Sequence, residues 1–591
     1  MTRPINRRTF LQRLGVGMAT PYLLLASDSW GRSDAGADRR WFRFLPRAAP
    51  ELVFGFSVAS GDPTPSGVML WTRINPRAWR ADRPLAFEVA TDSAFRGVVA
   101  RGLVQPSDFG PETDFTVRVD LDGRLQPNRY YYYRFIYRSV ASRTGRCRTL
   151  PPPGAALDRV RFGVVTCQDF ANGYYGAFDH LARDPNIDYV LHLGDFIYEG
   201  AADPSRQTLP YPDRFLVLPS GQPVAVDLAD YRYLYQRYRS DRFHQQVMEQ
   251  HTWIVIWDDH ETANDTYWDY DRDTLGAPDH PFTTDPANGN DPARLRRLKR
   301  DAMQAWAEYV PARLVRNESA AHPHDYYTMF RSFVFGDLVH LFMLDERTYR
   351  TPHPCGEGGF GERQVTTGCP ARTDEAGSML GDTQAAWLVD GITRSSAMWK
   401  VLGNQVLFSE LAIGNPESGR YFLSLDSWDG YEAERRWMLQ QFKAAGVGNL
   451  VWLTGDLHTY LASYVKLDYR KSDNADLENT LGVEFMTPAV TSSNFAEIAA
   501  GLVASADPRK EAIRQTPPSY LLEPAVRAAN PHIQFFNSQD WGYSTVEFNR
   551  WYCEYTAYNV DKTVNRPDAP RSVLRRLRVP RGWVRMLDVA T

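Results

Sequence analysis

At 591 residues the chain exceeds what one hydrophobic core serves, which predicts at least two domains, one of them large. Its 43% hydrophobic and 23% charged residues exclude a disordered polymer and fit a loop-rich globular protein. A net charge of -4 excludes a large field of one sign, so neither nucleic acid nor an anionic membrane surface is expected as a partner, and an anionic substrate would have to be attracted locally. Five cysteines are too few for a disulfide framework and lack the paired spacing of a structural zinc site. Cys355 and Cys369 bracket a Gly-rich stretch and could pair, whereas Cys147, Cys167 and Cys553 stand singly.

In chain order, residues 1–37 read as an address. Adjacent arginines followed by Phe10 and Leu11 precede a soft apolar run from Leu14 to Ala26, and the pattern resembles a twin-arginine export signal. It implies the twin-arginine machinery as a partner and a periplasmic or extracellular destination. No later segment offers about 18 uninterrupted apolar residues, so no stable membrane anchor is expected. From residue 50 to 150, short β-type runs are separated by Gly, Pro, Asp and Asn turns: Val68 to Thr72, Leu85 to Thr91, Asp114 to Val119 and Arg129 to Tyr137. This spacing predicts a small β-sandwich of immunoglobulin or fibronectin III type. Tyr130 to Tyr133 are expected to be core residues of a strand, since alternate side chains face opposite sides.

Pro151 to Pro153 form a stiff linker, and from 158 to 591 the pattern changes to apolar strands alternating with helical stretches, predicting a layered α/β domain. The predicted strands are Arg161 to Thr166, Tyr189 to Leu193, Trp253 to Trp257, Leu338 to Leu344, Trp399 to Leu402 and Leu450 to Leu453. Ala293 to Tyr309 reads as a helix with Leu295, Leu298, Ala302, Ala305 and Tyr309 on its core face. Asp269 to Asp291 reads as a long loop of the kind that forms lids.

Polar groups cluster where the predicted strands end, which is where such folds gather catalytic groups. Cys167, Gln168 and Asp169 follow the first strand; Gly194, Asp195 and Tyr198 follow the second. Gly194 allows a sharp turn that presents Asp195, and Tyr198 can return to the same face if the loop enters a helical turn. Asp258, Asp259, His260 and Glu261 follow the third, with Asn264 and Asp265 beyond; so many acids are costly together unless a cation neutralises them. In extended conformation Asp456 and His458 would project to one side as a chelating pair. Each cluster alone also fits capping, solvation or core packing; four together exceed accident.

The order C-Q-D, G-D-F-I-Y-E, W-D-D-H-E, L-G-N-Q-V and T-G-D-L-H resembles the PhoD-type alkaline phosphatases, a branch of the calcineurin-like metallophosphoesterases related to purple acid phosphatases. The resemblance implies a two-sheet metallophosphoesterase sandwich flanked by helices, behind the small all-β domain. It implies Asp195 as a metal bridge, Cys167, Tyr198 and His458 as ligands of Fe3+, and Asp259, Asn404 and Asp456 as oxygen ligands that favour Ca2+. Asp169 departs from the commoner opening motif and is left as a supporting group or an extra calcium ligand. The expected chemistry is in-line attack on phosphorus by a hydroxide that the metals make nucleophilic, with His260 touching a phosphoryl oxygen or protonating the leaving group. Arg347 is a further candidate phosphate contact, with a structural Asp345 to Arg347 pair as the alternative. The segment Asn537 to Tyr543 resembles the part of the family that packs over the cleft. The expected substrates are small phosphate esters, monoesters and diesters, in phosphate scavenging. The alternatives are a dedicated phosphodiesterase acting on phospholipid or wall polymer, and a non-enzymatic surface binding protein.

Overall fold

The computed structural model describes residues 39–590 except 202–210, 318, 416–418, 496 and 498–517. The expected export signal at residues 1–37 lies outside the described residues.

The amino-terminal strands form two layers. Val58–Thr64, Gly67–Arg73 and Thr116–Asp120 pair antiparallel, opposite a second sheet of Val98–Val104, Leu85–Ala90, Tyr130–Tyr137, Val140–Ala141 and Gly145–Arg148. Val58, Leu70, Phe87, Val89, Val119, Tyr131 and Tyr133 fill the space between them. Tyr131 and Tyr133 are buried while Tyr130 and Tyr132 reach outward, as strand alternation requires.

The first of these layers does not end at the linker. Val58–Thr64 runs parallel to Thr252–Val255 through the pairs Ser60 with Thr252 and Gly61 with Trp253. A Cβ on Gly61 would lie 2.3 Å from the Pro311 carbonyl oxygen, so this close approach needs glycine. The result is one ten-stranded sheet: Leu587–Asp588, Arg571–Pro580, Tyr552–Val560, Gly542–Asn549, Arg159–Val165, Tyr189–His192 and Thr252–Val255, followed by the three amino-terminal strands.

A second, seven-stranded sheet orders Arg331–Phe335, Val339–Met343, Trp399–Asn404, Leu450–Thr454, Thr480–Met486, Tyr460–Lys466 and Ile533–Asn537. Its inner strands are parallel and buried on both faces, which is why they read as unbroken apolar runs. The two sheets pack face to face through Phe162 on Phe335, Trp399 on Phe548 and Tyr555 stacked on Phe485. The expected α/β sandwich with an all-β amino-terminal part is therefore present, and the six strands read from sequence all form.

The helix forms over Pro292–Tyr309, capped by the Asp291 carboxylate accepting from Ala293 N–H, and its predicted stripe is buried. The expected long loop at Asp269 to Asp291 is partly regular instead. Thr274–Gly276 pairs with Tyr267–Asp269, Pro281–Thr284 makes a helical turn, and Arg363 clamps Asp279 at 2.7 Å. Cys355 and Cys369 are joined in a disulfide, while Cys147, Cys167 and Cys553 are buried thiols. Among the described residues no helix is long and apolar enough to cross a membrane.

Candidate metal centre

The carboxyl ends of the parallel strands of both sheets open onto one cleft. Cys167 follows Arg159–Val165, Asp195 follows Tyr189–His192, and Asp258, Asp259 and His260 follow Thr252–Val255. From the other sheet, Asn404 ends its strand and Asp456 and His458 follow Leu450–Thr454. Backbone bonds lock the first two loops together, Cys167 N to Gly194 O at 3.2 Å and Gln168 N to Asp195 O at 3.1 Å.

The backbone at these positions is unusual. Cys167, Asp195, Asp456 and His458 have φ of 55°, 58°, 64° and 53°, the left-handed region that non-glycine residues rarely enter. Each costs on the order of 1 kcal/mol or more, and such strain collects at functional sites where surrounding structure imposes it. The extended pairing expected for Asp456 and His458 is thus replaced by a left-handed turn that still aims both into the cleft. Likewise no helical turn carries Tyr198 back; the loop from 194 to 199 has no regular structure. Gly194 itself has φ 115°, and a Cβ there would meet Asp258 Cβ at 2.3 Å, so the sharp turn read from sequence also brings two strand ends into contact.

Three overlapping sets of ligand atoms result. One atom each of Cys167, Asp195 and His458 lie within 4.8 Å of one another, as do those of Asp195, Asp259 and His260, and those of Asp258, Asp259 and Asp456. Asp195 joins the first set to the second and Asp259 the second to the third. The Tyr198 hydroxyl is 2.9 Å from Asp195 Oδ2 and 3.1 Å from His458 Nε2, so it belongs to the first set. His458 Nδ1 donates to the Ser493 carbonyl, which can only accept; Nε2 therefore carries the lone pair toward the cleft.

Several supporting groups escaped the sequence reading. Glu261 accepts from Asp195 N (3.1 Å), Phe196 N (2.6 Å) and Asp258 N (2.8 Å), tying two strand-end loops into one. Glu199 accepts from His260 Nδ1 at 2.6 Å and from Asn264 N at 2.9 Å, fixing the imidazole. Both glutamates stood inside the motifs already singled out, and that placement was the available signal. Asp426 had no such signal. It bonds Arg347 Nη1 at 2.6 Å, Arg350 at 2.8 Å and His353 Nε2 at 2.7 Å.

Arg347 is fully enclosed. Its guanidinium donates to Asp258 (2.5 Å), Asp426 (2.6 Å) and Asp456 (3.1 Å), while only its backbone N–H meets Asp345. Asn404 lies opposite Thr454 in register, but its hydrogen bonds go to Val406, Thr454 and the Trp428 indole and none to the acids. Asp169 caps the turn Phe170–Asn172 by accepting from Ala171 N at 3.0 Å. Asn264 donates to Asp279 at 2.7 Å. The Asn537 to Tyr543 segment braces the loop behind His458: Asn494 donates to Gln539 O at 2.6 Å and Trp541 to Ser492 O at 2.8 Å.

Electrostatics make the arrangement incomplete without cations. Burial, with the Asp259 and Asp258 charges added, pushes Asp195 well above the usual carboxylate range. Burial, with Asp195 beside it, raises the Cys167 thiol. Burial likewise raises Asp456 to about 7 against the pull of Arg347. Burial also opposes ionisation of Asp259, yet Arg347 and His260 outweigh it and hold that carboxyl at about 2. With Asp426 shared among Arg347, Arg350 and His353, the Arg347 guanidinium alone cannot balance Asp195, Asp258, Asp259 and Asp456, so the donor set fits bound metal ions. The thiol, phenol and imidazole suit a transition metal; the acids suit a harder cation.

Replacing His260 by Ala is expected to lower turnover by about 10²-fold or more while metal content, measured by elemental analysis, stays unchanged. Loss of metal in that variant would make His260 a ligand.

Residues 162–556 match the family described as PhoD-like phosphatase, and residues 41–151 match that family's N-terminal domain. Over 528 residues, 87% of this chain and 79% of the relative, the sequence is 31% identical to alkaline phosphatase D of Bacillus subtilis (strain 168). A solved structure of PhoD superposes with a TM-score of 0.74 at 28% identity, covering 93% of this chain and 94% of that one. With the strand-end cluster placed as described, these likenesses establish that the chain belongs to the PhoD-like phosphatases and is a phosphoric ester hydrolase.

Proposed function

We propose that this enzyme is an exported alkaline phosphatase with phosphodiesterase activity that scavenges phosphate from small esters, using Fe3+ held by Cys167, Asp195, Tyr198 and His458 and Ca2+ held by Asp259, Asp456 and neighbouring oxygens. The observation that carries the reading is the chain of three ligand sets sharing Asp195 and Asp259. Bound there, the cations would supply Lewis acidity, acidifying water and neutralising phosphoryl oxygens. Asp195 would serve both cations, because it is the acid common to the soft and the oxygen-rich sets.

His260, aimed by Glu199, is assigned to hold a phosphoryl oxygen or pass a proton to the leaving alkoxide. Arg347 is assigned to order the acids: its guanidinium donates to Asp258, Asp426 and Asp456 and its side chain is fully buried, which supports this role over the phosphate contact considered from sequence. Asn404 would have to exchange the Trp428 indole for a cation to serve as a ligand. The Cys355–Cys369 disulfide favours an oxidising compartment, in keeping with export.

The test is turnover by protein purified from its own host. Both a nitrophenyl monoester and the bis-ester should be hydrolysed, chelation should abolish this, and the protein should be coloured, with the band shifted or bleached in Tyr198→Phe. A colourless, iron-containing active enzyme removes the ferric assignment. Turnover of the diester alone points to a dedicated phosphodiesterase, and retained metal with no hydrolysis to a binding protein.

A further inference from the structure

The end of the sandwich opposite the cleft carries chemistry that hydrolysis does not use. Strand Gly542–Asn549 turns at Arg550 and Trp551 into Tyr552–Val560, and the turn is held by Asn549 Oδ1 accepting from Trp551 N and Tyr552 N at 2.9 Å. Arg581 N donates to Trp551 O at 2.8 Å, and Trp583 N donates to Pro580 O at 3.1 Å, so the next strand's end joins the same tip. Trp551 is 77% exposed and Trp583 63%; Leu587, also exposed, follows on the adjoining edge strand.

Two exposed indoles in one tip are costly unless something covers them. Their surroundings are cationic. Residues 575–591 contain five arginines and one aspartate, Asp588. Some of this charge is spent: Arg575 pairs with Asp588 at 2.7 Å, Arg578 with Glu554 at 2.6 Å, Arg550 with Asp337 at 2.8 Å and Arg159 with Glu547 at 3.6 Å. Arg581 and Arg585 are exposed and make no ion pair among the described residues. The exposed Asp158 lies 3.9 Å from Arg550.

We infer that this tip docks the enzyme on the surface of a bilayer containing anionic phospholipid. Indole rings settle at the water–lipid boundary, and unpaired guanidinium groups beside them meet phosphate headgroups, so both halves of the tip suit one partner. The whole-chain charge of -4 conceals this local sign. Topology sets the orientation. Asn549 pairs with Arg159 at the start of Arg159–Val165, and Cys167 lies beyond the other end, a strand length of about 20 Å away. A docked molecule therefore holds its cleft away from the lipid, toward soluble esters.

The test is co-sedimentation of the mature holoenzyme with vesicles of phosphatidylcholine alone or containing phosphatidylglycerol. Binding to the anionic vesicles only, lost at high salt, is expected. Trp551→Ala with Trp583→Ala, and separately Arg581→Glu with Arg585→Glu, should each weaken it by about ten-fold or more while hydrolysis of a soluble ester stays at the wild-type rate, bound or free. Failure of active enzyme to bind, undiminished binding by both double variants, or capture by an anionic wall polymer without vesicle binding would overturn the inference. Inhibition of soluble-ester hydrolysis on binding would overturn the orientation.

Discussion

Asp195→Ala is expected to lose both metal ions and several orders of magnitude of rate. The carboxylate is the atom set shared by Cys167 and His458 on one side and Asp259 and His260 on the other, so no neighbour can replace it. It also accepts from the Tyr198 hydroxyl and from His260 N–H, and removing it frees both from their present geometry. Elemental analysis beside activity is the measurement. Because Glu261 holds the Asp195 backbone through its N–H and not its side chain, the loop should keep its course and the variant should fold. Retained activity would end the bridging assignment.

Arg347→Ala is expected to cost about 3–5 kcal/mol of stability, the usual penalty for removing one partner of a buried ionic group. Four carboxylates, those of Asp258, Asp259, Asp426 and Asp456, lie within 3.7 Å of its guanidinium, and all would face one another without it. Arg347→Lys should recover little, since a point charge on a flexible stem cannot serve Asp258, Asp426 and Asp456 in three directions. Thermal unfolding of the metal-depleted protein reads the effect. Equal stability of wild type and Arg347→Ala in that state would show that the acids do not depend on the arginine.

The fold was legible because buried parallel strands write themselves as apolar runs, and each of the six runs ends in a turn residue or a polar group. Arg571–Pro580 escapes that signature because it is a half-exposed strand mixing Arg with apolar residues, and Gly542–Asn549 because Gly, Ser, Thr and Glu interrupt its apolar positions although most of it is buried. At the site, Cys167, Asp195, Tyr198, Asp259, His260, Asp456 and His458 converge, and each stood in a strand-end motif. The geometry by which they converge was hidden, because left-handed backbone at Cys167, Asp195, Asp456 and His458 is imposed by tertiary contacts and not by local preference. Asp426 shows the limit: its role depends on Arg347, Arg350 and His353, all distant in sequence.

The run of prolines at Pro151 to Pro153 looks like a seam, but the hydrogen-bond ladder between Val58–Thr64 and Thr252–Val255 crosses it. Cutting the polypeptide there would not free an intact hydrolase. It would strip three neighbours from a continuous β-surface and leave Thr252–Val255 as a raw border, with Trp253 among the side chains behind it and unsatisfied amides inviting another molecule to pair. The small amino-terminal part is in this sense a flank of the catalytic body.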